Sequence, residues 1–269
     1  MQRHTDDQPD LAPETHDFYC RTLETLTDAG LPFLVGGAFA FRHHTGIVRD
    51  TKDLDVFIRR SDCKRALRAL RAAGYHTDLT FPHWLAKAFS GDHFVDLIFR
   101  SGNGLAEVDD SWFDRAIDGE VLGIRCKLCA AEEIIWTKAL IMERERYDGA
   151  DVAHLLHAGV ERIDWPRLLE LFGPHWRPLL SHLILFGFIY PAERTRIPAD
   201  LMRDLLGRVQ NELTSAPPDE RLCQGTLLSR EQYLIDIEQW GYIDARLQPH
   251  GSMTPEDMAH WTAAIDSEE

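Results

Sequence analysis

Val35-Gly36-Gly37-Ala38, followed by Arg49-Asp50-Thr51-Lys52-Asp53-Leu54-Asp55-Val56-Phe57-Ile58, is the stretch on which the fold turns. Phe33-Leu34-Val35 reads as a short buried strand, the glycine pair leads it into a helix near Ala38 to His44, and Leu54 to Ile58 reads as the next strand. Residues two apart on a strand share a face, so Asp53 and Asp55 point one way while Leu54, Val56 and Ile58 point into a core. A second apolar strand, Phe94-Val95-Asp96-Leu97-Ile98-Phe99, sets Asp96 opposite Val95, Leu97 and Phe99 in the same manner. If the two strands are neighbours, three carboxylates meet at one spot, repel one another, and raise at least one pKa. A hard divalent cation relieves that repulsion, and magnesium favours a few carboxylates together with phosphate oxygens and water. The glycines supply the complementary half: backbone that approaches a phosphate closely, and a helix N-terminus that directs free amides at an anion. Arg49 and Lys52 flank the acids, either within reach of phosphate oxygens or solvated as loop charges.

Working outward, residues 14–29 carry helical periodicity (Phe18, Leu23, Leu26, Ala29), which Gly30 and Pro32 stop. Ser61 reads as the N-cap of a helix with Ala66, Leu67, Leu70 and Ala73 on its apolar side, ended by Gly74. Strands are expected near His76 to Thr80, Trp84 to Phe89 and Phe94 to Phe99, with a weaker one over Val121 to Leu128. From Ala130 onward the pattern is helical: a long amphipathic helix over Ala131 to Tyr147, then helices over Asp151 to His157, Trp165 to Phe172, Pro174 to Tyr190 and Pro198 to Leu213. Ser229-Arg230-Glu231-Gln232 fits a capping box that opens a further helix closed by Gly241, and Thr254-Pro255-Glu256-Asp257 starts the last one. The class is α+β: a small mixed sheet with flanking helices over residues 1–128, followed by an all-helical domain over residues 129–269.

The 269 residues suffice for one large or two small cores, and 44% hydrophobic content excludes disorder over the whole length. A formal charge of -15 argues against nonspecific DNA binding, which needs a basic face, and disfavours RNA. It leaves room for a nucleotide held through a cation, which reverses the local sign. Residues 1–16 are polar and acidic with no export-type apolar segment, and no apolar run reaches membrane-span length. The five scattered cysteines read as reduced thiols, so the expected location is cytoplasmic. Cys126-Lys-Leu-Cys129 lacks the second ligand pair that a zinc site requires.

Gly36-Gly37, Asp53-Leu54-Asp55 and Asp96, in that order and each on its element, resemble the nucleotidyltransferase superfamily related to DNA polymerase beta. The likeness is greatest to its small bacterial members: the minimal, antibiotic-adenylylating and abortive-infection toxin types. In those a stretch like Arg49-x-Thr51-x-Asp53-Leu54-Asp55 is typical, and Glu132-Glu133-Ile134-Ile135-Trp136-x-Lys138 with Arg144, Arg146, Asp148 and Asp151 is similar to a later segment. The motifs cover residues 33–99 well and 130–156 loosely. The resemblance implies a nucleotidyltransferase domain whose active-site cleft the helical domain closes. It implies a magnesium-dependent enzyme with two ions between Asp53, Asp55, Asp96 and an NTP such as ATP. An acceptor hydroxyl on a protein, an RNA 3' end or a small molecule would attack the α-phosphorus, and pyrophosphate would leave. Asp53, Asp55 and Asp96 would be catalytic and metal-ligating, with Asp96 either a ligand of the ion nearest the acceptor or the general base. Gly36, Gly37, Arg49, Thr51, Lys52 and Lys138 would hold the nucleotide.

Lys138 interrupts the Ile134–Ile141 stripe, so it either reaches a phosphate or snorkels to solvent. Glu143-Arg144-Glu145-Arg146 reads as a solvated helix face, Asp148 and Asp151 as caps, and Arg42, His43 and His44 as a half-exposed helix end. Gln224 to Arg230 is distinctive beyond its capping box and unassigned by the motif pattern. The alternative function is a non-catalytic nucleotide-binding or antitoxin-like regulatory module of the same fold, which has no need of three mutually repelling carboxylates. A metal-dependent phosphohydrolase has only His93, three residues before Asp96, in its support.

Overall fold

The structure, a computed structural model, describes residues 11–248 and 251–263. The acidic opening stretch therefore lies, up to residue 10, outside the described residues. Two compact units divide the chain: Met1–Ala130 with Gly251–Met253, and Ala131–His250 with Thr254–Glu269. No helix among the described residues is long and apolar enough to cross a membrane.

The first unit runs α1 (Pro13–Asp28), β1 (Leu34–Val35), α2 (Gly37–Thr45), β2 (Leu54–Phe57), α3 (Arg60–Ala72), β3 (His76–Phe81), β4 (Leu85–Ser90), β5 (His93–Ile98), α4 (Asp110–Asp114), β6 (Ile117–Val121) and β7 (Ile124–Leu128). Its seven strands form one mixed sheet in the order β3-β4-β5-β2-β1-β7-β6. β2 pairs parallel with β5 and antiparallel with β1, which pairs parallel with β7. Period-two alternation does the sorting: Leu54, Val56, Val95 and Leu97 are wholly buried on one face with Leu23, Leu26, Ala66 and Leu70 from the helices.

Two local readings change. Val121 to Leu128 is the turn and second strand of a hairpin, because Leu122 (φ 52°) and Gly123 (φ 83°) both take positive φ, the turn that joins antiparallel strands with matching twist. Arg59, not Ser61, caps α3, and no side chain bonds the free amides; Asp62 in the first turn complements the helix dipole instead.

Glu107 ties the returning segment Gly251–Met253 to the sheet unit. It accepts from the Ser252 amide at 2.9 Å and from the Ser252 hydroxyl, and pairs with the buried Arg100 guanidinium at 2.9 Å. Burial works to raise its pKa, but the Ser252 hydrogen bonds and the Arg100 charge outweigh it and hold the carboxyl below its usual 4.5. A depressed folded-state pKa gives stability that is present above the unfolded value and lost as pH falls through the folded one. Melting curves of Glu107→Gln against the parent protein should therefore differ at pH 7 and converge toward pH 3. A constant gap would contradict this linkage.

The second unit holds α5 (Ala131–Ala139), α6 (Gly149–Gly159), α7 (Trp165–Phe172), α8 (Trp176–Ile189), α9 (Ala199–Glu212), β8 (Leu222–Cys223), α10 (Leu234–Glu238), β9 (Ile243–Asp244) and α11 (Pro255–Ala263). The single helix expected to Tyr147 ends at Ala139 and is followed by a turn in which Met142 bridges to Tyr147. The Lys138 ammonium accounts for the break, lying 3.0 Å from Asp148 and 2.7 Å from Asp151. A continuous helix would have carried Asp148 about 15 Å along the axis from Lys138. Asp148 does not cap through its side chain. Asp148 occupies the N-cap position of α6 with no side-chain capping bond, and its carboxylate takes Lys138 and Arg146 instead. Burial raises the Asp148 pKa, but Arg146 and Lys138 outweigh that and set it below the usual carboxylate range.

The stretch from Gln224 is tied into the second unit by its side chains. Thr226 Oγ1 donates to Asp244 Oδ1 at 2.8 Å, and Asp244 also takes the buried Arg246 guanidinium at 2.9 and 2.7 Å. Gly225 is glycine because a Cβ there would lie 2.6 Å from Tyr233 Cε1. Ser229 Oγ accepts the Gln232 amide at 3.2 Å and donates to Glu143. That half-formed box opens no regular helix, since α10 begins at Leu234. The reciprocal box stands at Thr254 and Asp257, where each side chain accepts the other's amide, at 3.1 and 2.9 Å.

Candidate active site

The acids assemble through strand register. Asp55 on β2 stands opposite Asp96 on β5, and Asp96 opposite Lys87 on β4. Asp53 lies on the bend that leads into β2, fixed by Thr51, whose hydroxyl donates to Asp53 O at 2.8 Å and to Asp53 Oδ1 at 3.1 Å. Asp53, Asp55 and Asp96 each offer an oxygen, and these lie within 4.8 Å of one another. Asp96 is buried and the other two are half-buried. Like charges directly opposite on paired strands are destabilising, and the Lys87 ammonium, 2.8 Å from Asp96 Oδ1, offsets part of that repulsion.

The glycine pair is built against these acids. The Gly36 amide donates to Asp55 O at 3.0 Å, extending the β1–β2 ladder by one residue. A Cβ on Gly36 would lie 2.7 Å from Phe57 Cδ2, whose ring stacks on Trp112 with centroids 5.4 Å apart. Gly37 has φ +50°, and a Cβ there would lie 2.7 Å from the Asp55 carboxyl carbon and closer still to Oδ2. The first helical bond of α2 is donated by Ala40 to Gly36 O, so the amides of Gly37, Ala38 and Phe39 precede the helical ladder. Open amides and paired carboxylates thus share one end of the sheet.

Burial sets the electrostatics. It raises the Asp96 pKa; the hydrogen bond and charge of Lys87 oppose the rise and the Asp53 charge adds to it. Tyr19 on α1 is 1% exposed, and its hydroxyl has no hydrogen-bond partner among the described residues. Burial pushes its pKa up to about 12, with the charges of Asp53, Asp55 and Asp96 adding to the shift. Three observations fit a divalent cation here: a set of hard oxygen donors, a cradle that a Cβ at Gly37 would fill, and an orphaned buried phenol within the field of the same acids.

The flanking candidates divide. Thr51 is engaged with Asp53, the Arg49 guanidinium lies 4.7 Å from the Phe41 ring centroid, and Lys52 is exposed. Lys138 belongs to the second unit and pairs there with Asp148 and Asp151. His44 Nε2 hydrogen-bonds the Cys129 carbonyl at 2.9 Å, so the helix-end histidine ties α2 to the end of β7. No disulfide joins the five cysteines, all of which lie among the described residues. His93 shares the face of Val95 and Leu97, opposite to that of Asp96, and its ring centroid lies 5.6 Å from that of Phe18. That geometry removes the one feature that favoured a phosphohydrolase.

Sequence reasoning missed Lys87 and Tyr19. Lys87 sits between the wholly buried Ala86 and Ala88, which reads as an ordinary solvent-facing strand position. Only its register opposite Asp96 reveals the pairing. Tyr19 reads as one more apolar residue of α1.

No family model and no curated protein matches the chain. Among solved structures it is similar to the antibiotic-resistance factor ANT(2'')-Ia, at 15% identity over 64% of this chain and 98% of that one, with a TM-score of 0.45. It is similar to the lincosamide antibiotic adenylyltransferase LnuA bound to lincomycin, at 12% identity over 54% and 96%, TM-score 0.38. An antigenic nucleotidyltransferase-like protein from Paracoccidioides brasiliensis shares 15% identity over 69% and 93%, TM-score 0.42.

Proposed function

We propose that this protein is a magnesium-dependent nucleotidyltransferase, moving a nucleoside monophosphate from an NTP to an acceptor hydroxyl and releasing pyrophosphate. The observation that carries the reading is the convergence of Asp53, Asp55 and Asp96 within 4.8 Å beside a glycine that only an absent side chain permits. Asp53, Asp55 and Asp96 would hold the divalent ion, which when bound supplies Lewis-acid polarisation of the phosphate and charge neutralisation. The amides of Gly37, Ala38 and Phe39 point their partial positive charge at phosphate oxygens. Thr51 holds the Asp53 carboxylate in place, which limits the reorganisation needed when the triphosphate arrives. The acceptor oxygen bonds to the α-phosphorus as the bond to the β-bridging oxygen breaks. The acceptor proton passes to Asp96 or to solvent; the first role requires the Asp96 carboxylate to stand within hydrogen-bond reach of the acceptor oxygen.

Thermal melts with each of four NTPs, with and without magnesium, test the reading. A ligand that binds only the folded state at a hundred times its Kd stabilises by about 2.7 kcal/mol. A rise in Tm is expected for at least one NTP with magnesium, abolished by EDTA. No rise for any NTP, with EDTA making no difference, would rule the enzyme reading out.

A further inference from the structure

We propose that the outer face of the α8–α9 hairpin is a dimerisation surface whose occupant is a second copy of this chain. The surface lies wholly in the second unit. α8 is apolar nearly all round: from Pro178 to Ala192 the sequence holds no Asp, Glu, Lys or Arg, and its one histidine, His182, is buried. A helix of that kind belongs in an interior. Leu179, Leu180, Leu183 and Phe186 are buried accordingly, but Ile184, Leu185, Phe188 and Ile189 are 55, 38, 80 and 45% exposed. α9 runs antiparallel beside α8, since Arg177 pairs with Glu212 and the Arg208 guanidinium lies 5.9 Å from the Trp176 ring centroid. The α9 row that holds Arg208 and Glu212 also holds the buried Leu201 and Leu205. One residue on, about 100° around the helix, Met202, Leu206, Val209 and Leu213 form a second apolar row. In an antiparallel pair, one residue beyond the facing row turns to the same side on both helices. The outward face of α8 and this second row of α9 therefore merge into one apolar surface.

Area, charge and length select the occupant. Leu206 and Leu213 are 49 and 81% exposed. At about 200 Å² for a fully exposed residue of this size, they and the four α8 residues present about 700 Å², close to the roughly 800 Å² that each partner gives to a stable interface. A twofold contact sets a patch against itself, so it needs no complementary partner, only a patch that does not repel its copy. The chain carries a formal charge of -15, yet residues 176–213 hold five arginines and four acids. Asp200, Asp204 and Glu212 are paired within the chain, to Arg203, Arg208 and Arg177. Two copies thus meet here without the repulsion that so acidic a chain imposes elsewhere. A lipid surface fits less well. The 14 residues of α8 extend about 21 Å, short of the roughly 30 Å hydrocarbon core, and a near-neutral hairpin lacks the basic rim that holds a helix on anionic headgroups.

Sedimentation equilibrium of the full chain, from about 1 to about 100 micromolar, spans the affinities expected of such a contact. The parent protein should reach the mass of two chains. Phe188→Glu and Ile184→Glu should each weaken the dimer on the order of a hundredfold, because the twofold places every new charge in the contact twice. Both side chains are exposed in the single chain, so circular dichroism and Tm at low concentration should stay at the parent values. Trp240→Glu is the control: Trp240 is 57% exposed outside the hairpin, and its loss should leave the dimer intact. Hydrogen exchange of the unsubstituted chain supplies a second readout, with the amides of 184–189 slowing as concentration rises. A parent that stays a single chain over this range, whether or not it floats with phosphatidylcholine vesicles, or a dimer that survives both substitutions in α8, would overturn the proposal.

Discussion

Asp55→Asn is expected to reduce nucleotidyl transfer on the order of a thousandfold, several kcal/mol of transition-state stabilisation, while leaving the fold intact. Asparagine keeps the volume of aspartate and one oxygen but loses the charge, so the site keeps its shape and loses its hold on a divalent ion. The stability outcome separates catalysis from structure. Asp55 stands directly opposite Asp96, and in the metal-free protein the substitution removes a like-charge repulsion. The variant should melt at the same temperature as the metal-free parent or slightly higher, and it should lose the stabilisation that magnesium and NTP give together. If the acids served the fold alone, the variant would melt lower and any transfer activity would persist per folded molecule. Paired melts and single-turnover assays on Asp55→Asn and Asp53→Asn distinguish the two.

Gly37→Ala should be nearly as damaging through a different route. At φ +50° an L side chain costs about 1–2 kcal/mol from backbone sterics alone. The added methyl would also overlap the Asp55 carboxylate, which sits against the glycine Cα. Relief requires either the carboxylate or the first turn of α2 to move, and each move spoils one half of the site. The expected result is a lower Tm together with loss of the NTP-and-magnesium shift. Gly46→Ala is the matched control: Gly46 caps the other end of α2 at φ +75°, and nothing lies within 4 Å of its Cβ position. That variant should lose a comparable amount of stability from strain and keep nucleotide binding. Loss of binding in both would mean that backbone strain in α2, not crowding of Asp55, is responsible.

The candidate site was legible in the sequence to the extent that its signals are local. Period-two alternation put Asp53 and Asp55 on one face and their apolar neighbours in the core, and the glycine pair marked the turn into α2. What the sequence could not supply was register. Lys87 looked like any charged residue on an outer strand face until pairing set it opposite Asp96. The same limit explains the helix expected over Ala131 to Tyr147: its periodicity is helical, but two carboxylates ten and thirteen residues beyond Lys138 fold the chain back onto that lysine. Thr226 was unexplained for the same reason, since its partner Asp244 is distant in sequence. The hairpin over β6 and β7 was hidden by Leu122, a residue whose side chain gives no hint of a positive φ.

The most direct test of the central claim follows the label on the nucleotide. The full chain is incubated with magnesium, a lysate as acceptor source, and the same NTP carrying radiolabel on either the α- or the γ-phosphate. Attack at the α-phosphorus predicts that the α-label enters an acceptor while the γ-label leaves in pyrophosphate, and that Asp53→Asn and Asp55→Asn abolish both. Transfer of the γ-label to an acceptor, release of label as inorganic phosphate, or α-label transfer that survives both substitutions would contradict it.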